Sequence, residues 1–187
     1  MGRDSRPAGA GGRLIRPRPI VLIGLSGAGK SSVAPHVARL LDTTACDLDE
    51  QIVAAEGRSV AAIFAAEGEA RFRAIEQAAL LAALDSDPQV IATGGGWAAQ
   101  PGNLDAIAGR ALVIYLSVTP AEAARRLAGA VDRPMLTGGP LEARLDELLG
   151  ARERWYRLAD LEIATGNASP EVVAAGVVTA ARQYGGW

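Results

Sequence analysis

The segment PIVLIGLSGAGKSSVAPHVARLL, Pro19 to Leu41, constrains the fold more than any other part of the chain. Pro19 to Gly24 is a continuous apolar run closed by glycine, which predicts a strand buried on both faces. Val33, Val37, Leu40 and Leu41 then recur at helical spacing. Between them, Gly24, Gly29, Lys30 and Ser31 match the pattern GxxxxGK[ST]. Strand, glycine loop and helix form the context in which that pattern binds phosphate. The glycines let backbone N–H groups close around phosphate oxygens, and the helix start adds positive partial charge. Lys30 is the only lysine in 187 residues, against 18 arginines. A compact ammonium with freely turning donors suits the β and γ phosphates better than a broad planar guanidinium. Ser31 would place its hydroxyl on Mg²⁺.

The remaining chain repeats the alternation. TTACDLD predicts a second strand with acids at its carboxyl end, and Ser59 to Leu84 a long helix broken near Gly68. QVIAT is a third strand closed by Gly94, Gly95 and Gly96, and ALVIYLSV a fourth. Thr119 as N-cap, Pro120 at N1 and Glu122 at N3 predict a capping box. Leu141 to Leu158 predicts a helix, LEIAT a fifth strand, and Ser169 with Pro170 opens the closing helix. Pro35 predicts a bend or a loosened start in the first helix. The fold class expected is α/β, a five-stranded parallel sheet flanked by helices. A length of 187 residues suits one domain, residues 19–187.

Charge narrows the partners. Formal net charge is −2, yet residues 1–18 carry five arginines against Asp4, so the body is acidic and a poor nucleic-acid binder. The Gly-, Pro- and Arg-rich residues 1–18 read as a disordered basic tail without the apolar core of a secretory signal. No apolar run approaches the roughly 20 residues of a membrane span. Cys46 alone cannot form an internal disulfide, so a cytoplasmic protein is expected. His36 reads as structural and Cys46 as a buried small residue; without clusters of either type a zinc site is excluded.

A phosphate loop names a fold and not a reaction. Asp47 and Asp49 form a DxD pair at the carboxyl end of the second strand, where ligands of open α/β sheets bind. One can face a metal while the other reaches an acceptor hydroxyl; two acids before a helix also make an ordinary cap. Glu76 follows Arg73 by one helical turn and can hold its guanidinium. The triplet Gly94 to Gly96 leaves a strand end with no side chains to obstruct a ligand.

Taken together, GLSGAGKSS, CDLDEQI, GRSVAAIFAAEGEARFRAIE, ATGGG, DRPML, ARERWYRLAD and TGNASPEVV resemble shikimate kinase, from Pro19 to Arg182. The phosphate loop is widely shared, but DxD, FRxxE, GGG, an RP lid segment and RxxxY together are specific. The resemblance implies a P-loop NTPase fold like that of nucleoside monophosphate kinases, with a mobile lid at about residues 129–140. It implies transfer of the γ-phosphoryl of ATP to the 3-hydroxyl of shikimate, with Mg²⁺, in the aromatic amino acid pathway. Gly27, Ala28, Gly29, Lys30, Ser31 and Ser32 would hold ATP, and Ser31 and Asp47 the metal. Asp49 would contact the acceptor hydroxyl, orienting or deprotonating it. Arg73 and Arg152 would clamp the shikimate carboxylate through paired hydrogen bonds, with Gly95 nearest a ring hydroxyl. Phe64 and Phe72 match pocket walls or core. Arg133, in the lid, would bring a cation to the transferring phosphoryl. Arg126, with Arg125 beside it as the alternative, matches the residue stacking on adenine, and Asn167 and Pro170 the adenine-side loop. A monomer is expected. Trp97 after the glycines, Pro35 and His36 in the first helix and a glycine-rich lid depart from the family pattern. Another small-metabolite kinase, for gluconate or a nucleoside monophosphate, and a non-catalytic ATP-binding regulator are the rival readings.

Overall fold

The first strand is apolar at every position because the sheet is covered on both faces. In a computed structural model, which describes residues 16–128 and 140–187, Ile20–Ile23 form β1, and all four residues are fully buried. Ile20 and Leu22 join a core cluster on one face; Val21 and Ile23 join a second on the other. β2 (Thr44–Asp47), β3 (Gln89–Ala92), β4 (Leu112–Ser117) and β5 (Leu161–Ala164) complete a five-stranded sheet in the order β2-β3-β1-β4-β5, with every pairing parallel. The expected α/β architecture is therefore present.

Helices α1 (Lys30–Leu40), α2 (Leu48–Glu56), α3 (Val60–Leu84), α4 (Asn103–Ile107), α5 (Pro120–Leu127), α6 (Leu141–Tyr156) and α7 (Pro170–Ala180) connect and cover the strands. The break expected near Gly68 is real: Gly68 has φ 81° and ψ 170° inside α3. Pro35 lies within α1, which nonetheless continues to Leu40. Thr119 caps α5 by accepting from the Glu122 N–H at 3.3 Å, but the Glu122 carboxylate turns to Arg125 and Arg126. The box is thus closed on one side, because two guanidiniums one turn on attract the carboxylate more strongly than one amide.

Register sets the site. Leu22 of β1 and Asp47 of β2 both pair with Ala92 of β3. The phosphate loop, the acidic pair and the glycine triplet therefore leave three adjacent strands at the same carboxyl edge, where the strand order places a ligand crevice. A third, smaller cluster of Ile52, Ile63 and Phe72 joins α2 to α3 beside that edge.

Most of the expected tail, residues 1–15, and the expected lid residues 129–139, with Arg133, lie outside the described residues. Arg16 and Arg18, within the span assigned to the tail, are seated on the body. Arg16 donates to Ser86 O at 2.8 Å, and the Arg18 N–H donates to Gly185 O at 2.9 Å.

Candidate active site

Two cavities, of about 500 and 520 Å³, open at the carboxyl edge of the sheet. The first is walled by α2 and α3, the glycine triplet and Arg152; the second by residues 27–33 of the phosphate loop and α1, with Arg126, Thr165 and Pro170. Ser31, Asp49, Gly94 and Gly95 line both. The cavities thus share one wall, and a carboxylate stands in it.

The phosphate loop has the backbone its glycines allow. Gly27 and Gly29 have φ of 84° and 93°, a region L side chains rarely adopt. Lys30 is 7% exposed, and its ammonium donates to Gly24 O at 2.8 Å and Leu25 O at 3.0 Å. Those bonds hold the cation against the loop whose amides would surround a phosphate. Gly27, Ala28, Gly29, Lys30, Ser31 and Ser32 all line the second cavity, as expected.

Arg126 closes that cavity from α5. It donates to Glu122 Oε1 at 2.8 Å, Gly27 O at 3.3 Å, Thr165 Oγ1 at 3.1 Å and the Gly166 carbonyl. The guanidinium therefore joins the phosphate loop to the loop after β5. Hydrogen bonds from Arg125 and Arg126 hold the Glu122 carboxyl at about 2, so it remains charged at any working pH. Arg125 itself is not among the residues lining either cavity. Pro170 lines the second cavity, whereas the exposed Asn167 does not.

The DxD pair divides its work. Asp47 is the N-cap of α2, its Oδ1 accepting from the N–H groups of Asp49 at 3.0 Å and Glu50 at 3.3 Å. The ordinary cap therefore applies to one oxygen of Asp47, which also lines the first cavity with Ser31. Asp49, in the first turn of α2, takes its place in the shared wall.

Arg73 and Glu76 form a buried pair. Arg73 Nη1 donates to Glu76 Oε2 at 2.6 Å, and Nη2 to Glu69 Oε1 at 3.0 Å. The guanidinium also lies over the rings of Phe64 and Phe72, 5.8 and 5.4 Å from their centroids. Both rings line the first cavity, and Phe72 is also in the core. Glu76 is fully buried, and its Oε1 lacks a hydrogen-bond partner of normal geometry. Burial pushes its carboxyl pKa up and the Asp49 charge adds to that; Arg73 and the Gly94 amide pull only part of the way back. Burial acts to lower the Arg73 pKa, but Glu76 and Glu69 raise it overall, so the guanidinium stays cationic.

The triplet is packed so closely that side chains are excluded. A Cβ on Gly94 would collide with Glu76 Oε1, one on Gly95 would reach Ser26 Oγ at 2.9 Å, and one on Gly96 would collide with Arg73. From α6, Arg152 Nη1 donates to Gly95 O at 3.2 Å, and the Tyr156 hydroxyl donates to the same oxygen. Trp97 is fully buried behind the triplet, packed with Val21, Ile23 and Leu80, and donates to Gln77 Oε1 at 2.9 Å. The large residue after the glycines therefore fills core and not cavity.

Asp49, Arg73, Gly95 and Arg152 are thus brought to one cavity, and Gly27 to Ser32 with Arg126 to its neighbour; Arg133 lies outside the described residues. Sequence reasoning missed Ser26 and Thr165 and left Tyr156 without a role. The RxxxY spacing signalled Tyr156, while Ser26 lay inside the loop pattern at a position any residue may fill. Among the described residues, no group of three His, Cys, Asp or Glu side chains is placed to hold a metal ion.

A family model for shikimate kinase matches residues 26–182, a span containing every residue that lines either cavity. The chain belongs to the shikimate kinase family. A shikimate kinase of Geobacter metallireducens is 38% identical over 158 residues, covering 84% of this chain and 88% of the relative. One from Mycobacterium leprae is 40% identical over 137 residues, covering 73% and 68%. Among solved structures, shikimate kinase from Acinetobacter baumannii in complex with shikimate superposes with a TM-score of 0.85. It is 31% identical, and the match covers 90% of this chain and 94% of that one. As a member of the shikimate kinase family, the chain is an ATP-dependent phosphotransferase with an alcohol acceptor.

Proposed function

We propose that the two cavities carry the shikimate kinase reaction, in which the γ-phosphoryl of ATP passes to the 3-hydroxyl of shikimate to give shikimate 3-phosphate and ADP. The observation that carries this reading is the shared wall: Asp49 faces both cavities, with Ser31 on the nucleotide side and the glycine triplet on the acceptor side. ATP lies in the second cavity with its phosphates against the loop amides and Lys30. Arg126 borders the base, and shikimate fills the first cavity. Arg73 and Arg152 take its carboxylate, and Asp49 takes the acceptor hydroxyl at the point where the cavities meet. Catalysis is then mainly positioning and charge neutralisation.

Ser31, which lines both cavities, and Asp47, which lines the first with it, fit Mg²⁺. The Ser31 hydroxyl and the Asp47 carboxylate are hard oxygen donors, and this ion commonly binds through one or two protein groups together with nucleotide phosphates. Bound there, it would neutralise phosphate charge. Ser31 and Asp47 are the residues that would hold it. Arg133 and the lid at 129–140 complete the proposal as the closing element over a domain of residues 19–187. No helix of the described residues is long and apolar enough to cross a membrane, and we place the enzyme in the cytoplasm as a monomer that binds no nucleic acid.

The test is ADP release with Mg²⁺ATP, with and without shikimate, gluconate and nucleoside monophosphates. Stimulation by shikimate alone, lost in Arg73→Ala, is the expected result. Stimulation by another acceptor overturns the substrate, and ATP binding without acceptor-dependent release overturns the enzyme.

A further inference from the structure

Three glycines in a row create a difficulty that their lack of side chains does not solve. Gly94 to Gly96 leave room for an acceptor, but glycine peptides have the least steric preference of any and turn readily. A wall that must present fixed polar groups needs something outside the triplet to hold it. The described contacts supply that from α6. The Gly95 carbonyl receives two donors, Arg152 Nη1 at 3.2 Å and the Tyr156 hydroxyl. Residues four apart on a helix lie on one face, so the RxxxY spacing brings both donors to the same oxygen.

Tyr156 is built as a rigid post. It is fully buried, and its ring stacks on Tyr115 of β4 with centroids 5.2 Å apart and planes 29° apart. Burial pushes its hydroxyl up to about 12, leaving a neutral donor at any physiological pH. Arg152 is different: it lines the acceptor cavity and has nitrogens to spare for a ligand. A carbonyl held by Tyr156 does not need Arg152 as its main donor. Remove the phenol, and the same guanidinium has to satisfy Gly95 O alone.

We infer that Tyr156 is a positioning residue for the acceptor. By fixing the Gly95 carbonyl it sets the plane of the Gly95–Gly96 peptide, whose C=O and N–H point in opposite directions, and it shares that carbonyl with Arg152, whose other N–H groups are left for the carboxylate. Its effect falls mainly on the acceptor side: Gly95 lines both cavities, but Gly96 and Arg152 line only the first.

This inference rests on the shikimate kinase reading, so the unaltered protein is assayed first; absence of shikimate-dependent ADP release there overturns both. With that activity present, Tyr156→Phe keeps the ring and removes only the donor. The KM for shikimate is expected to rise about 5- to 10-fold, the scale of one hydrogen bond, with the KM for ATP unchanged within about twofold. Tyr115→Phe, which alters the other ring of the stack, serves as the comparison and should leave both constants alone. Calorimetric titration of shikimate at low temperature provides the same readout if Tyr156→Phe melts early. An unchanged shikimate affinity, whatever the melting temperature, makes Tyr156 a packing residue only and overturns the inference. Equal losses toward shikimate and ATP overturn it as well.

Discussion

Replacing Gly96 with alanine tests whether the triplet is glycine for lack of space. The Gly96 backbone has φ −103° and ψ −11°, angles alanine tolerates, so any fault in the variant arises from the methyl group. A Cβ built there collides with Arg73 Nη2 and stands 2.8 Å from Cζ. Ordinary contact begins near 3.4 Å, so the guanidinium has to retreat by about 0.6 Å or more. It is not free to do so, because Glu76 holds Nη1 at 2.6 Å and Glu69 holds Nη2 at 3.0 Å. A hydrogen bond to a charged group contributes about 1.5–3 kcal/mol. Losing one bond of a two-bond clamp therefore corresponds to roughly 10- to 100-fold, at about 1.4 kcal/mol per decade.

Steady-state kinetics should accordingly show the shikimate KM raised by about 10- to 100-fold. The ATP KM should stay close to its original value, since no group on Arg126 or the phosphate loop is touched. Gly150→Ala is the matched control. Gly150 lies inside α6 and an added methyl meets nothing within 4 Å, so it should stabilise the fold by about 0.5–1 kcal/mol and leave both constants alone. A Gly96→Ala enzyme with an unaltered shikimate KM would refute the placing of Arg73 as the acceptor clamp.

Two further outcomes separate the carboxylates. Asp49→Asn keeps the size and a hydrogen-bonding oxygen but removes the charge, and should lower kcat by about 10²- to 10⁴-fold with a modest change in the ATP KM; near-normal turnover would sink the assignment. Glu76→Gln concerns stability. Burial raises the folded-state pKa of Glu76, so its contribution is fully present below its unfolded pKa and is lost as pH rises through the folded one. Denaturant melts between pH 4 and 8 should show the wild-type advantage over Glu76→Gln shrinking as pH increases, whereas an advantage that grows would mean that the Arg73 ion pair outweighs burial.

Much of the phosphate side was legible because it is local. Gly24 to Ser32 are consecutive, their glycines carry the backbone angles, and β1 and α1 on either side announce themselves by apolar period. The parallel sheet followed from alternation, and the capping of α5 by Thr119 from a short motif. Residue types alone made Asp47 and Asp49 legible as a pair, and only the family resemblance gave them separate roles. Which one caps α2 and which faces the shared wall depends on where the strand ends, a matter of one residue that composition does not decide.

The acceptor side was legible in its residue types and not in its mechanics, for a physical reason. Arg73 and Glu76 are neighbours in sequence, yet nothing local says that Glu76 is fully buried with an oxygen beside Gly94. That follows from α3 packing under β3. Tyr156 and Gly95 are 61 residues apart, and Arg126 reaches Thr165 across 39. Such contacts exist only once α6 and the loop after β5 have docked on the sheet. A backbone cradle can be encoded by glycines in place, but a clamp for a small polyhydroxy acid has to be aimed by side chains from several elements. The shikimate constants should consequently be the more sensitive to substitutions in α6 and the ATP constants to those in the loop itself. A double-mutant cycle between Tyr156→Phe and Gly96→Ala would then show strong coupling in shikimate KM, and additive effects there would mean that the two positions act on separate parts of the wall.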